Sequence, residues 1–106
     1  MDLTDRLPEI TQRIVQTSNP EKIILFGSYA RGTFSANSDL DLLVIVPGVK
    51  HLRKESIRVR RALRGLLVPI DLVLATPEQI ERLENTAGLI YQAALNEGRV
   101  LYERAH

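Results

Sequence analysis

The amino-acid sequence predicts an α/β domain, in which helices pack on one small mixed β-sheet. Short apolar runs of strand length alternate along the chain with longer segments whose apolar residues recur every three or four positions. Glycine, proline and small polar residues separate the two kinds of segment. The 106 residues and the apolar fraction of 44% are typical of one globular domain, so we expect a single domain over residues 1–106.

The first predicted helix covers residues 2–17 and is followed by a strand. Its apolar residues are spaced four, three and four apart and form one face: Leu3, Leu7, Ile10 and Ile14. Pro20 ends the helix, because proline cannot continue it and disfavours helix in the preceding residue. Residues 23–26 then have the length and composition of a buried strand. Residues 28–31 can form one helical turn, which precedes a loop at 33–38.

The clearest strand prediction covers residues 39–46, where six apolar residues surround two aspartates. Pro47-Gly48 closes this strand. A helix is predicted over residues 51–67, because most of its apolar residues are compatible with one broad face. They are Leu52, Ile57, Val59, Leu63 and Leu66.

The third predicted strand covers residues 69–75 and runs into a well-marked helix start. Thr76 can cap the free amides of that helix, Pro77 suits its first position, and Gln79 completes a capping box. Two more elements are predicted, a helix over residues 87–96 and an edge strand over residues 99–103. The resulting order, α-β-α-β-α-β-α-α-β, indicates a small sheet with helices packed on it.

The residue types that are missing exclude several classes of site. Without cysteine there is neither a disulfide nor a thiolate metal site, and two histidines are too few for a typical histidine zinc site. The longest apolar run, Leu42 to Val46, is far shorter than the roughly 20 residues of a membrane span. The N-terminus is too acidic and polar for a signal peptide, so we expect a cytoplasmic protein with no membrane partner.

The formal charge of +1 conceals an uneven distribution. Residues 50–64 contain seven basic residues and one acidic residue, a charge of +6, whereas the rest of the chain carries −5. A helix with this charge could bind nucleic acid or the acidic surface of a partner, or it could be an ordinary solvated face. No aromatic residue lies between Phe34 and Tyr91, which argues against a stacking platform for single strands.

Three aspartates lie inside the predicted apolar strands. Asp39 and Asp41 are two residues apart, so their side chains should point to the same face, and Asp71 lies in the next strand along the chain. Carboxylates in such places are normally hydrogen-bonded, ion-paired or bound to metal. If the two strands are neighbours, the three carboxylates converge, and their oxygens suit Mg²⁺ or Mn²⁺. Otherwise Asp39 could be a strand-edge or cap residue and Asp71 could pair with an arginine.

The pair Gly27-Ser28 directly follows the first strand and precedes the short helical turn. A glycine there lets backbone amides approach an anion closely, and the start of a helix favours negative charge. The Ser28 hydroxyl adds a donor. With ten residues between Ser28 and Asp39, the pattern Gly-Ser-(ten residues)-Asp-x-Asp would place a triphosphate between the loop and bound metal ions. Taken alone, the Gly-Ser pair could be a plain turn.

With these motifs, residues 23–46 and 69–75 resemble the nucleotidyltransferase superfamily that includes the catalytic domain of DNA polymerase β. The chain length and element order resemble its minimal members, the MNT proteins. The resemblance implies the polymerase β-like nucleotidyltransferase fold. It also implies transfer of a nucleoside monophosphate, usually AMP from ATP, to a hydroxyl group, with two Mg²⁺ ions, or Mn²⁺ in their place.

The resemblance assigns a role to each candidate site residue. Asp39 and Asp41 match the metal-binding pair, and Asp71 matches the third carboxylate, which binds the catalytic metal and helps to deprotonate the nucleophile. Gly27 and Ser28 match the phosphate-binding loop. Arg31 would either contact phosphate or form an ion pair with a nearby aspartate.

The resemblance also indicates a partner. No segment of the 106 residues corresponds to an acceptor domain, so we expect the acceptor on another macromolecule, in a homo- or hetero-oligomer. MNT proteins usually act with a small helical HEPN protein, often an RNase toxin, and serve as antitoxins that attach AMP to a tyrosine of it. Two alternatives stay open: a non-catalytic nucleotide-binding antitoxin that neutralises its partner by binding, and an enzyme that modifies nucleic-acid ends.

Overall fold

A four-stranded β-sheet forms the centre of the fold in the computed structural model, which describes residues 3–84 and 94–105. Its strands are β1 (Lys22–Phe26), β2 (Leu40–Ile45), β3 (Ile70–Ala75) and β4 (Arg99–Glu103). The spatial order is β3-β2-β1-β4. Strand β1 is antiparallel to β2 and to β4, whereas β2 and β3 are parallel. The predicted mixed sheet is therefore confirmed, with β4 as the edge strand expected at residues 99–103.

Helices pack on both faces of this sheet. They are a 3-10 turn at Leu3–Arg6, α1 (Leu7–Ser18), α2 (Gly27–Arg31), α3 (Leu52–Ala62) and α4 (Pro77–Glu84). Residues 94–97 are also helical, and the rest of the helix predicted over 87–96 lies outside the described residues. Within the part of the chain that the structure describes, every helix is too short or too polar to cross a membrane.

The two faces of the sheet have separate cores. On one face, α1 and α3 supply Ile10, Ile14 and Val59, which cluster with buried strand residues such as Leu42 and Val44. The opposite face has a smaller cluster, which joins strand residues to α4 and to the helical residues before β4: Ile24, Leu43, Ile45, Ala75, Ile80 and Ala94. Strand β2 is apolar at both odd and even positions because both of its faces are covered.

Two local signals in the sequence form the structures that they predict. Helix α1 ends where Asn19 adopts a left-handed conformation and donates its N–H to the carbonyl of Val15 at 3.0 Å. At the start of α4, the N–H of Gln79 donates to the Thr76 hydroxyl at 3.2 Å, and the N–H of Thr76 donates to Gln79 Oε1 at 3.0 Å. The predicted capping box is confirmed.

The first helix differs from the prediction over 2–17. The α-helix begins only at Leu7, and Leu3–Arg6 form a 3-10 turn before it. Pro8 explains the difference, because its ring lacks an N–H and clashes with the carbonyl four residues earlier. Proline is accommodated in the first turn of α1, where a donor is not required.

Helix α3 is shorter than the predicted 51–67. It ends at Ala62, and the chain then turns through Gly65 and Leu67, whose φ angles of 88° and 56° are left-handed. These conformations cannot continue an α-helix. Ile57 is 44% exposed instead of buried, because it lies about 200° around the helix from the buried Val59.

Candidate active site

Asp41 and Asp71 lie side by side at one end of the sheet. Asp41 is the register partner of Asp71 across the parallel β2–β3 pair and of Phe26 across the antiparallel β1–β2 pair. Side chains at such partner positions point to the same face of a sheet. The next row on that face is apolar: Ile24, Leu43 and Val73. The two carboxylates therefore lie at the edge of the smaller core, on the face of the sheet that α4 covers.

Asp39 lies beside this pair but outside the strand that was predicted to contain it. Strand β2 begins at Leu40, whose N–H donates to the carbonyl of Pro69 at 3.0 Å. The predicted start at residue 39 is thus one residue too early, and the Asp39 side chain is exposed. Its charge nevertheless acts on Asp41. The structure brings all three aspartates to one end of the β2–β3 pair.

Burial raises the pKa of Asp41 above the ordinary value for aspartic acid, and the charges of Asp71 and Asp39 raise it further. A hydrogen bond with the Asp71 side chain acts in the same direction, while the positive charge of Arg31 opposes the shift. The cluster therefore lacks enough positive charge to keep all its carboxylates ionised without cost.

The donor set fits a hard divalent cation. Asp39, Asp41 and Asp71 offer only oxygen atoms, and a cation among them would offset their mutual repulsion. Among residues 3–84 and 94–105, no three His, Cys, Asp or Glu side chains already surround one metal position. The structure places Asp41 and Asp71 in register on neighbouring strands, with the exposed Asp39 beside them.

The backbone at Gly27 packs directly against the Asp41 side chain. Gly27 follows β1, opens α2 and has a left-handed φ of 73°. A Cβ atom at this position would lie 2.1 Å from Asp41 Oδ2, a distance that no side chain allows. Only glycine permits both the conformation and the approach. The prediction of a glycine turn between strand and short helix is confirmed, with the half-buried Ser28 next in the chain.

Arg31, at the end of α2, lies close enough to the cluster for its charge to lower the pKa of Asp41. Its Nη1 lies 3.8 Å from Oε2 of Glu97. Sequence reasoning missed Glu97, because nothing in its local pattern indicates contact with a residue so distant in the chain. Tyr29, between the glycine turn and Arg31, is buried and stacks on Phe34 with ring centroids 4.3 Å apart.

Two solved structures have the same fold. The toxin–antitoxin MntA–HpeT, as a mutant, aligns with a TM-score of 0.67 at 20% identity, covering 92% of this chain and 73% of that chain. A toxin–antitoxin structure with AMP-PNP aligns with a TM-score of 0.63 at 22% identity, covering 91% and 73%. At these identities the likeness shows the fold, and it confirms the predicted nucleotidyltransferase architecture.

Sequence relatives extend the comparison to the family. A Methanocaldococcus jannaschii protein named putative protein adenylyltransferase MJ0604 is 34% identical over 82 residues, covering 77% of this chain and 78% of the relative. A second protein of that organism, with the same name and the number MJ1305, is 43% identical over 68 residues, covering 62% of this chain and 44% of the relative. The chain thus matches less than half the length of the second relative.

The family model named nucleotidyltransferase domain matches residues 5–101, which is nearly the whole sequence. This chain belongs to the nucleotidyltransferase domain family.

Proposed function

We propose that this chain transfers a nucleoside monophosphate, AMP from ATP, to a hydroxyl group of a partner protein. The observation that carries the proposal is the close packing of the Gly27 backbone against the Asp41 carboxylate, with Asp71 in register beside it. In this arrangement, backbone that an anion can approach lies next to carboxylate oxygens that can bind a cation. The names of the two relatives and the AMP-PNP complex of the structural neighbour support an adenine nucleotide as substrate.

Each site residue has a role in the proposed reaction. Asp39 and Asp41 would hold the metal ions, and Asp71 would complete the ligand set and accept the proton of the attacking hydroxyl. Gly27 and Ser28 orient the β- and γ-phosphates, and Arg31 binds phosphate when it leaves Glu97. Bound Mg²⁺ ions, two in number and replaceable by Mn²⁺, would supply charge neutralisation around the α-phosphate. The hydroxyl oxygen bonds to the α-phosphorus, the bond to the β-phosphate oxygen breaks, and pyrophosphate leaves.

The proposed acceptor is a tyrosine of a HEPN-family toxin, for which this chain serves as antitoxin. Asp39 and Asp71 are exposed, so a hydroxyl on the surface of another protein can reach the carboxylates. The two toxin–antitoxin neighbours support a protein acceptor of this class. The choice of tyrosine as acceptor residue and of the HEPN family as partner follows from the resemblance to MNT proteins.

The experiment uses the purified chain, the purified product of the adjacent reading frame, Mg²⁺ and ATP labelled at the α-phosphate. We expect label on the partner and none with ATP labelled at the γ-phosphate, because AMP and not phosphate is transferred. EDTA and the Asp39→Asn/Asp41→Asn variant should abolish labelling, whereas Glu78→Gln, which removes an exposed acid beyond the other end of β3, should not. Equal labelling by the double variant would contradict the proposed roles.

A second candidate function is a non-catalytic antitoxin that binds nucleotide and neutralises its partner by occlusion. The two toxin–antitoxin neighbours support it, because an antitoxin can neutralise its partner by binding alone. This candidate predicts that the Asp39→Asn/Asp41→Asn variant neutralises the partner as well as the wild type does, with no label transferred by either protein. If the wild-type chain labels the partner, the result supports the enzymatic function over the non-catalytic one.

A further inference from the structure

Leu67 is the most exposed large apolar residue in the described part of the chain, with 94% of its surface accessible. Its φ of 56° is also unusual, because a branched side chain is strained in the left-handed region. Leucine usually occurs where its side chain is buried and its backbone conformation is favourable. Neither condition holds at this position. Such a position is a candidate for contact with another molecule.

The turn that carries Leu67 is held in place on both sides. Arg13 of α1 donates from Nη1 to the carbonyls of Ala62 and Arg64, at 3.2 and 3.1 Å. The neighbouring Leu66 is buried in the larger core, at 4% exposure. On the other side, the carbonyl of Pro69 accepts the N–H of Leu40. Leu67 is therefore presented in a defined position, which lowers the entropic cost of binding through it.

This turn lies at the same end of the sheet as the carboxylates. Pro69 is bonded to Leu40, which stands between Asp39 and Asp41 in the chain. Leu67 precedes Pro69 by two residues, a separation of at most about 7 Å along the backbone. The turn packs through Leu66 on the larger core, whereas Asp41 and Asp71 point to the face of the smaller one. A protein surface that spans this end of the sheet can contact both Leu67 and the proposed site.

Positive charge accompanies the leucine. Arg61 and Arg64 are exposed at the end of α3, and neither side chain forms an ion pair with a described residue. Of the other basic residues in the 50–64 segment, Arg58 binds Glu55 and Arg60 donates to the carbonyl of Leu72. The remaining three are exposed around the start of α3, away from the leucine: Lys50, Arg53 and Lys54. Two unpaired guanidinium groups favour a partner with carboxylates at its surface.

We infer that Arg61, Arg64 and Leu67 form a docking patch for the acceptor protein, which presents carboxylates around an apolar socket. The inference rests on the proposed function, because it names the surface that holds the acceptor beside the site. A second copy of this chain is disfavoured, since it would bring a like-charged patch against this one. Nucleic acid is disfavoured by the exposed leucine and by the lack of aromatic residues between Phe34 and Tyr91.

The test measures equilibrium binding of the purified product of the adjacent reading frame, without ATP or Mg²⁺. We expect Leu67→Gly and Arg61→Glu/Arg64→Glu each to raise Kd by about tenfold or more, because central apolar and arginine contacts dominate such interfaces. Glycine suits a φ of 56°, so Leu67→Gly should keep the thermal melting curve of the wild type. The matched control, Arg53→Glu/Lys54→Glu, reverses two exposed charges at the opposite end of α3 and should leave Kd within about threefold.

Equal Kd values for the wild type and both patch variants would overturn the inference, and so would failure of the wild-type chain to bind. A 20-nucleotide single-stranded RNA is the second probe. If the patch variants lose RNA binding while protein binding is unchanged, the patch belongs to nucleic acid and the inference is wrong. Patch-dependent binding with no transfer of label would leave the docking patch in place and overturn the proposed enzymatic function instead.

Discussion

At Gly27 a single methyl group would meet a functional carboxylate. We predict that Gly27→Ala lowers nucleotidyl transfer by about 100-fold, because the added Cβ would lie 2.1 Å from Asp41 Oδ2 and displace that side chain. The alanine also takes a left-handed φ, which costs about 1–2 kcal/mol of folding stability. Transfer of label from ATP measures the first effect, and urea unfolding measures the second.

Gly48→Ala is the matched control for this prediction. Gly48 has the same φ of 73°, but a Cβ there would meet nothing within 4 Å. Both variants should therefore lose stability from the left-handed φ, Gly27→Ala somewhat more because of the contact with Asp41, and only Gly27→Ala should lose activity. If both variants retain activity, the close approach to Asp41 does not matter for the reaction.

The site residues could be proposed from the sequence because each one breaks a local pattern. Carboxylates inside apolar strands and a glycine at a strand end are visible without any structure, and they identify Gly27, Asp41 and Asp71. Glu97 could not be found in this way, because its contact with Arg31 depends on tertiary packing. The exposed, left-handed Leu67 was also invisible, since the apolar residues before it favour a continued helix.

At the scale of elements, Glu55 ties the start of α3 to the end of α1. It accepts hydrogen bonds from Arg58, at 2.9 Å, and from the Ser18 hydroxyl. Arg58 in turn donates to the carbonyl of Thr17. The hydrogen bond from Arg58 lowers the pKa of Glu55, and the bond from Ser18 adds to the shift against the opposing effect of burial. The ionised carboxylate is thus part of the α1–α3 contact.

We predict that Glu55→Gln lowers the free energy of unfolding by about 1 kcal/mol at pH 7. Because the folded-state pKa is lowered, this stabilisation is present above the unfolded-state pKa and is lost as the pH falls through the folded-state pKa. Urea unfolding of both proteins should therefore show a difference at pH 7 that disappears in more acidic buffer. Glu9→Gln is the control, since its exposed ion pairs with Arg6 and Arg13 should contribute little. A pH-independent difference at Glu55 would contradict the prediction.

Elements with a strong local signal were predicted correctly, and those shaped by packing were not. The capping box at Thr76 and the turn at Asn19 depend on hydrogen bonds within a few residues, so sequence is sufficient for them. The end of α3 depends instead on the clamp from Arg13 and on the return of the chain to β3. Periodicity cannot report such distant contacts, which explains why the predicted helix ran to residue 67.

At the scale of the whole molecule, strand pairing creates the site. The order of elements predicts a sheet, but it does not determine that β2 and β3 are parallel neighbours in a register that pairs Asp41 with Asp71. A shift of one residue would turn one of the two carboxylates to the other face. Because β2 is buried on both faces, hydrophobic alternation along it does not fix this register, and the site is specified together with the tertiary packing of the core.

This coupling makes the site costly for the fold, and the cost can be measured at Asp41. Its pKa is raised by burial and by Asp71 and Asp39, so the stability that it contributes is present below the unfolded-state pKa and is lost as the pH rises through the folded-state pKa. At pH 7 without divalent ions, we therefore predict that Asp41→Asn raises the free energy of unfolding and the Tm. The gain in free energy should be no more than about 1 kcal/mol, because solvent screens the charges around this partly exposed side chain. In buffer acidic enough to protonate Asp41, the difference in stability between the wild type and Asp41→Asn should disappear.

Mg²⁺ provides a second measurement on the same site. It should raise the Tm of the wild type and of Asp5→Asn, because an ion that binds only the folded state stabilises that state. It should not raise the Tm of Asp41→Asn. An equal Mg²⁺ response in all three proteins, or a lower Tm for Asp41→Asn at pH 7, would contradict a cation site built on the Asp41–Asp71 pair.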